Sequence, residues 1–325
     1  MRRQFGAALL TAMILVALVT TLAASMLWQQ WRAIQVEAAE RARTQSAWIL
    51  SGALDWARLI LREDARPTSG NLAIDHLGEP WAVPLAEARL STFLAADKAN
   101  TEDAPDAFLS GAITDAQARY NLSNLVSAGR VVPSQLAAFL RLCETVGVSA
   151  DVATRIAEGM RDASPPAPPD PSASAPPPPP ANPPLLPVSP AQLAWLGVEP
   201  EAVRALAPYI VILPESGTFV NANTASREVL VAAIAGLDLA TAERIVQSRQ
   251  RAPLRSAGDL HALAPSVAED DLKAVGIGSD YFEVRGRLRL GDVVLEQRSL
   301  VRRKNMTVVV VQRERVSSRD RQPTS

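Results

Sequence analysis

The first 28 residues, MRRQFGAALLTAMILVALVTTLAASMLW, decide how the rest of the chain is read. Arg2 and Arg3 precede Gly6, and Ala7 to Trp28 then run without a charge, a proline or a glycine. At about 1.5 Å per residue this run forms a helix of about 30 Å, enough to cross the hydrocarbon core of a bilayer. The two arginines on its short side place the N-terminus in the cytoplasm and the bulk of the chain beyond the membrane. A cleaved secretory signal competes, but such signals have apolar regions of only about 7–15 residues. Ala23-Ala24-Ser25 is also a poor cleavage site. A plain signal anchor explains the charge and the length equally well.

The residues just beyond the apolar run argue for more than an anchor. From Gln29 to Asp64 the apolar residues Trp31, Ile34, Ala38, Trp48, Leu54 and Leu61 keep near-helical spacing. The first proline is Pro67, and Gly52 is the single weak interior position. The pattern predicts one helix of nearly sixty residues, apolar over 7–28 and amphipathic over 29–64. A subunit that packs its helix against similar helices needs such a stem.

The 325 residues carry a formal net charge of −1 and are 48% hydrophobic, which gives length and apolar content for two or three compact units. The balance lacks the basic excess of nucleic-acid-binding proteins. Cys143 is the lone cysteine, and His76 and His261 are the two histidines. Disulfide frameworks, multi-cysteine metal sites and histidine-based catalysis therefore lack raw material. The sequence shows no phosphate-binding loop and no paired catalytic carboxylates. It reads as a protein without an enzymatic site.

Strand signals sit at both ends of the soluble region. Gly78-Glu79-Pro80-Trp81 reads as a turn, and 83–94 and 107–114 as short strands. Near the C-terminus, 282–290, a Gly291-Asp292 turn, 293–301 and 306–312 read as three antiparallel strands. The fold class is α+β, with everything between about Asp115 and Gly278 inserted into a small sheet. That insertion contains an internal repeat. Asn121 and Asn124 open one copy, and Asn221 and Asn223 the other. Gly147 and Gly236 each precede an Arg-Ile pair, Arg155-Ile156 and Arg244-Ile245, by the same spacing. Asparagine suits helix starts and glycine the left-handed turn between two helices. Each copy, over 115–163 and 191–278, reads as an all-α helix-hairpin-helix or sterile-alpha-motif-like bundle. The proline-dominated stretch 164–190 between them reads as an exposed polyproline tether, with a proline-reading partner domain as the sharper alternative.

A short basic leader ending at Gly6, an apolar helix from Ala7 and an amphipathic stem together resemble the N-terminus of type IV pilins and pseudopilins. In that family a prepilin peptidase cuts after the glycine, so the resemblance implies a leader of residues 1–6 and cleavage between Gly6 and Ala7. Most members carry glutamate where this chain has Thr11. Lacking it marks the minor pseudopilin K family of type II secretion systems, which the whole chain resembles. The resemblance implies a pilin-like domain built from 65–114 and 279–318. It implies a tip subunit in the inner membrane of a Gram-negative cell, its bulk periplasmic, that initiates or caps the pseudopilus. Its partners would be inner-membrane lipid, the prepilin peptidase and the I- and J-type minor pseudopilins. No cofactor is required. Calcium is associated with the family, but the sequence does not place a site.

The second repeat also resembles membrane-anchored DNA-uptake receptors. DNA-binding hairpins of this type read Gly-hydrophobic-Gly, which lets backbone amides approach a phosphate. Here Gly147-Val148-Ser149 and Gly236-Leu237-Asp238 both lose the second glycine, and Asp238 sets a carboxylate where the phosphate would dock. Arg249, Arg251 and Arg255 read as a solvated basic face, and nucleic acid is not expected as a partner. Cys143 on an apolar helix face reads as a buried structural thiol. Glu102, Asp103 and Asp106 lack EF-hand spacing. Glu269, Asp270 and Asp271 suit a helix N-terminus after Ser266.

Overall fold

The computed structural model describes residues 5–66, 74–90, 107–165, 182–290 and 293–316. Helix α1 (Phe5–Asp64) is unbroken over 60 residues, so apolar span and stem are one element. Every side chain from 8 to 41 is exposed. Higher up, Ser46, Leu50, Leu54, Ala57 and Leu61 recur every three or four residues and are buried, the single stripe of a helix lying on a sheet.

The turn at Gly78-Glu79-Pro80-Trp81 comes after α1, and it sets Trp81 into the core. Strand β1 (Leu85–Arg89) pairs antiparallel with β2 (Ala107–Asp115). β1 is shorter than the expected 83–94 because Pro84 has no N–H to give a ladder; residues 91–94 lie outside the described residues.

From Asp115 the chain leaves the sheet and builds two units before returning. In the first, β3 (Tyr120–Asn121) leads through a small hairpin, β4 (Val126–Ser127) and β5 (Arg130–Val131), to helices α2 (Pro133–Thr145) and α3 (Ala150–Ala163). A 3-10 turn over Pro190–Leu196 and helix α4 (Pro200–Leu206) then reach β6 (Ile210–Val211), which pairs parallel with β3. The second unit opens on β7 (Val220–Asn221). It continues through α5 (Arg227–Ala233), α6 (Leu239–Arg251), α7 (Ala257–Leu263) and α8 (Glu269–Leu272). It closes on β8 (Val275–Gly276), parallel to β7.

Two expectations change here. The insertion is not all-α, because each unit is closed by a parallel pair of two-residue strands. Strands that short carry no alternation to read. The first unit also runs past the proline stretch to Val211, rather than ending at 163. Leu193 is fully buried, and a Cβ built on Gly159 of α3 would meet the Leu196 side chain at 3.0 Å. Residues 191–211 therefore belong with α3, and the proline-rich stretch, of which 166–181 lie outside the described residues, falls in sequence within the first unit. The units share one core, in which Phe139, Leu142, Ile156, Leu206 and Ile210 join Leu230, Ile245 and Leu260.

The chain then completes the sheet with β9 (Tyr281–Leu290), β10 (Val293–Lys304) and β11 (Thr307–Val316). The strand order is β1-β2-β9-β10-β11, antiparallel throughout. Leu290 pairs with Val293, the register of a tight hairpin; Gly291 and Asp292 themselves lie outside the described residues. One face of the sheet packs on α1 through Phe282, Val284, Val301 and Val308 against Leu54, Ala57 and Leu61. Trp81 meets Phe282 edge-on, with ring centroids 5.2 Å apart.

Candidate functional site

Two features stand out: the bare half of α1 and a buried polar junction where insertion, stem and sheet meet. The bare half carries Leu9, Leu10, Met13, Ile14, Leu15, Val16, Leu18, Val19 and Leu22, each more than half exposed. Apolar surface on every side of a helix is stable only in lipid or against other helices. Trp28 and Trp31 mark its upper end beside Arg32, where amphipathic rings favour a membrane boundary. Gly6 and Ala7 lie in the first turns of α1. Thr11 donates its hydroxyl to the Ala8 carbonyl at 2.9 Å, so a neutral group bonded to its own helix stands at this depth. A carboxylate there would need a partner in hydrocarbon.

The junction is built from residues far apart in sequence. Arg303, at the end of β10, donates to both carboxylate oxygens of Asp75 and, at 2.8 Å, to Asp64 in the last turn of α1. Burial works against its charge, but Asp75 and then Asp64 more than offset that and hold its pKa up. Burial raises the Asp64 carboxyl, and the neighbouring Asp75 charge adds to this. Asp75 also accepts from the Ser279 amide at 2.7 Å. Asp115, where β2 ends, is buried and accepts from four donors. They are the Gln117 amide (2.7 Å), the Thr224 and Ser279 hydroxyls (2.6 Å each) and the Asn221 amide (2.9 Å). Burial raises its pKa, and the four donors oppose this. Gln117 adds a further tie, donating to Phe219 and accepting from Asp280 and Tyr281.

The repeat asparagines do more than cap: Asn121 caps a short 3-10 turn and Asn221 accepts from the Asn223 amide in the same way, but none of the four caps an α-helix. Asn121 Oδ1 accepts from Ser123, starting a 3-10 turn, and from Leu213, while its amide donates to Glu215 and Thr218. Asn124 accepts from Gly217 and Thr218. Together they hold the loop after β6. Asn221 instead bonds Asp75, Asp115 and Ser279, and Asn223 bonds Leu254 and Ile277. The helix caps are other residues: Ser226 caps α5, Asp238 caps α6 and Ser256 caps α7. Asp75, Asp115, Gln117, Ser279 and Arg303 carried no local signal in the sequence. Gly147 and Gly236 do turn their helix pairs in the left-handed region, each at φ +75°.

The remaining candidates have structural settings. Arg249 donates to the Ala222 and Ala225 carbonyls, and burial lowers its pKa to about 10. Asp238 is spent on the Thr241 amide and hydroxyl, at 2.9 and 2.7 Å. Cys143 is buried in the first unit, which pushes its thiol up to about 12. Glu269, Asp270 and Asp271 fill the first turn of α8, and Asp270 pairs with Lys273. Glu102, Asp103 and Asp106 lie outside the described residues. Among the described residues, Asp64, Asp75 and Glu79 form one carboxylate cluster close enough to share a cation. Arg303 already supplies its positive charge, so this cluster does not suit calcium.

A long, half-bare N-terminal helix laid on a small antiparallel sheet is the architecture of a pilin-type subunit. Two family models, both described as type II secretion system protein K, match residues 118–215 and 220–278, the same two units that the parallel strand pairs close. The type II secretion system protein K of Pseudomonas aeruginosa is 30% identical over 307 residues, covering 90% of this chain and 86% of that one. That of Klebsiella pneumoniae is 27% identical, with 96% of each chain covered. A solved structure, the GspK-GspI-GspJ complex of the enterotoxigenic Escherichia coli type 2 secretion system, superposes with a TM-score of 0.63. It shares 21% identity and covers 86% of this chain and 99% of that one. The chain belongs to the type II secretion system protein K family and is a minor pseudopilin.

Proposed function

We propose that this minor pseudopilin is the tip subunit of a pseudopilus, joining I- and J-type minor pseudopilins to initiate or cap the fibre for protein export. The observation that carries this reading is α1, whose fully exposed apolar half continues without a break into a half covered by the sheet. In the membrane the apolar half sits in inner-membrane lipid, with its N-terminus cytoplasmic and the remainder periplasmic. In the fibre the same surface packs against neighbouring helices. The two-unit insertion, spanning 116–280, is too bulky for the middle of a tightly stacked fibre but has room at its end. Thr11 fits that place, since a first subunit has no neighbour above whose amino terminus a carboxylate could pair with.

The role is mechanical, without catalysis or a required cofactor. We read the α2–α3 and α5–α6 pairs as helix-hairpin-helix or sterile-alpha-motif-like elements, because their left-handed glycines precede Arg155-Ile156 and Arg244-Ile245 at equal spacing. They serve packing rather than DNA, since Arg249 is bonded inward and Asp238 stands at the α6 start. Mass spectrometry of the protein from cells with active prepilin peptidase tests the reading. The expected mature chain begins at Ala7; retention of residues 1–6 would overturn it.

A further inference from the structure

We propose that the groove between β11 and the stem receives an acidic, extended segment of a neighbouring subunit. The proposal rests on the assembly reading and names one of its surfaces. Among the described residues β11 is an outer strand, with β10 on one side and no strand on the other. Leu300 pairs with Gln312 and Val301 with Val310, so Val311 is an extra residue that turns over the side chains after it. Arg313 and Arg315 thereby face α1, across from Arg43, Thr44, Ala47, Trp48 and Ser51, around a cleft of about 330 Å³. Glu314 points to the other side of the sheet, where it lines a separate cavity with Arg298 and Leu300.

Three guanidinium groups thus border the cleft, and among the described residues no carboxylate lines it. Arg43 has Glu40 at 3.1 Å on the open helix surface, whereas Arg313 and Arg315 make no ion pair or hydrogen bond among the described residues. Trp48, 76% exposed, gives the cleft a flat apolar wall. Gathered like charges repel until an anion joins them, and arginine matches carboxylates with paired hydrogen bonds. The strand beside them offers open main-chain groups for an added strand. That free stretch begins at Val309, because Arg58 already occupies the Val308 carbonyl. Charges on an edge strand ordinarily discourage pairing; charges of one sign on one face select a partner of the other sign.

Other occupants fit less well. The chain's own residues 317–325 bring Arg319 and Arg321 against Asp320, so they add no net negative side-chain charge. Arg43 lies 15 residues beyond Trp28, roughly 22 Å up a helix rising about 1.5 Å per residue. The screening length is about 8 Å at physiological salt, which separates the cleft from anionic headgroups beneath an upright stem.

The test compares the mature full chain with R313E/R315E in detergent, each titrated with the I- and J-type minor pseudopilins of the same cell. The expected result is an unchanged melting temperature and a loss of affinity of about tenfold or more, with a smaller loss in R313Q/R315Q. Amides of Val309–Val316 in the wild type should also exchange more slowly in the complex, a readout independent of any variant's folding. Undiminished binding by R313E/R315E, or unchanged exchange in β11, overturns the groove and leaves the assembly reading standing. Failure of the wild type to form a complex overturns the assembly reading, and the groove with it. If R313E/R315E loses binding only to phosphatidylglycerol vesicles, the occupant is lipid and the proposal falls.

Discussion

The two units of the insertion open on the same residue in the same place and use it differently. Asn121 on β3 turns inward and fastens the loop just past its own closing strand. Asn221 on β7 turns outward to Asp75, Asp115 and Ser279, which belong to the stem–sheet body. One copy of the motif closes its unit; the other welds the insertion to the pilin-type fold. The first unit reaches the sheet through Gln117, an Arg119–Glu283 pair, an Arg302–Glu215 pair and the packing of Val211 and Leu213 on Tyr281, and leans on the second through the shared core. Arg141 of α2 adds to that contact by donating to the Ala232 carbonyl near the end of α5.

The junction is most easily broken at Arg303. Arg303→Ala leaves Asp75 and Asp64 facing each other without a counter-charge, and should cost about 3–5 kcal/mol in denaturant unfolding of the full chain. Asn221→Ala unpairs a donor from buried Asp115 and should cost about 2–3 kcal/mol. Its hydrogen exchange should quicken on both sides of the junction, in β9 as well as α5. Asn121→Ala should cost about 1–2 kcal/mol, with faster exchange confined to 213–218 and its neighbours. Equal, global effects of the two asparagine variants would erase the distinction between them. Gly147→Ala and Gly236→Ala should each cost about 1 kcal/mol, because both sit at φ +75° in open space. Thermal melts should show the two hairpins to be equivalent in this respect.

The smallest expected effect is a pH slope at the turn before β1. Burial raises the Glu79 carboxyl from 4.5 to about 7, against hydrogen bonds from His76 and Trp81. The folded chain therefore holds this proton more tightly than the unfolded chain. Its contribution to stability is fully present below pH 4.5 and is lost as pH rises through about 7. Glu79→Gln should flatten melting temperature against pH over that window. An unchanged slope would assign it to other groups.

Much of the frame was legible because its signals are local. An uncharged run of 22 residues from Ala7 to Trp28, then buried positions every three or four, specify one helix that changes environment along its length. The β9–β10 hairpin declares itself by apolar runs meeting at 291–292. The last strand extends to Val316, past the expected 312, since the run Gln312-Arg313-Glu314-Arg315 shows no apolar alternation on this outer strand. The junction was hidden for a different reason. Ser279 and Asp115 are 164 residues apart and Arg303 and Asp75 are 228 apart, so no window of sequence contains both partners. The asparagine pairs were visible, and so was their local capping; their long-range bonds to the 213–218 loop and to Asp75 and Asp115 were not. The unit boundary was misplaced for a related reason: a proline-rich stretch reads as a border between domains, and here it interrupts one.

The proposed role requires this chain to assemble with partners through its stem and head. Native mass spectrometry of the mature chain mixed with I- and J-type minor pseudopilins tests it most directly. One discrete complex holding a single copy of each is expected. A chain that stays alone in that mixture, yet binds duplex DNA with steep salt dependence, would contradict it.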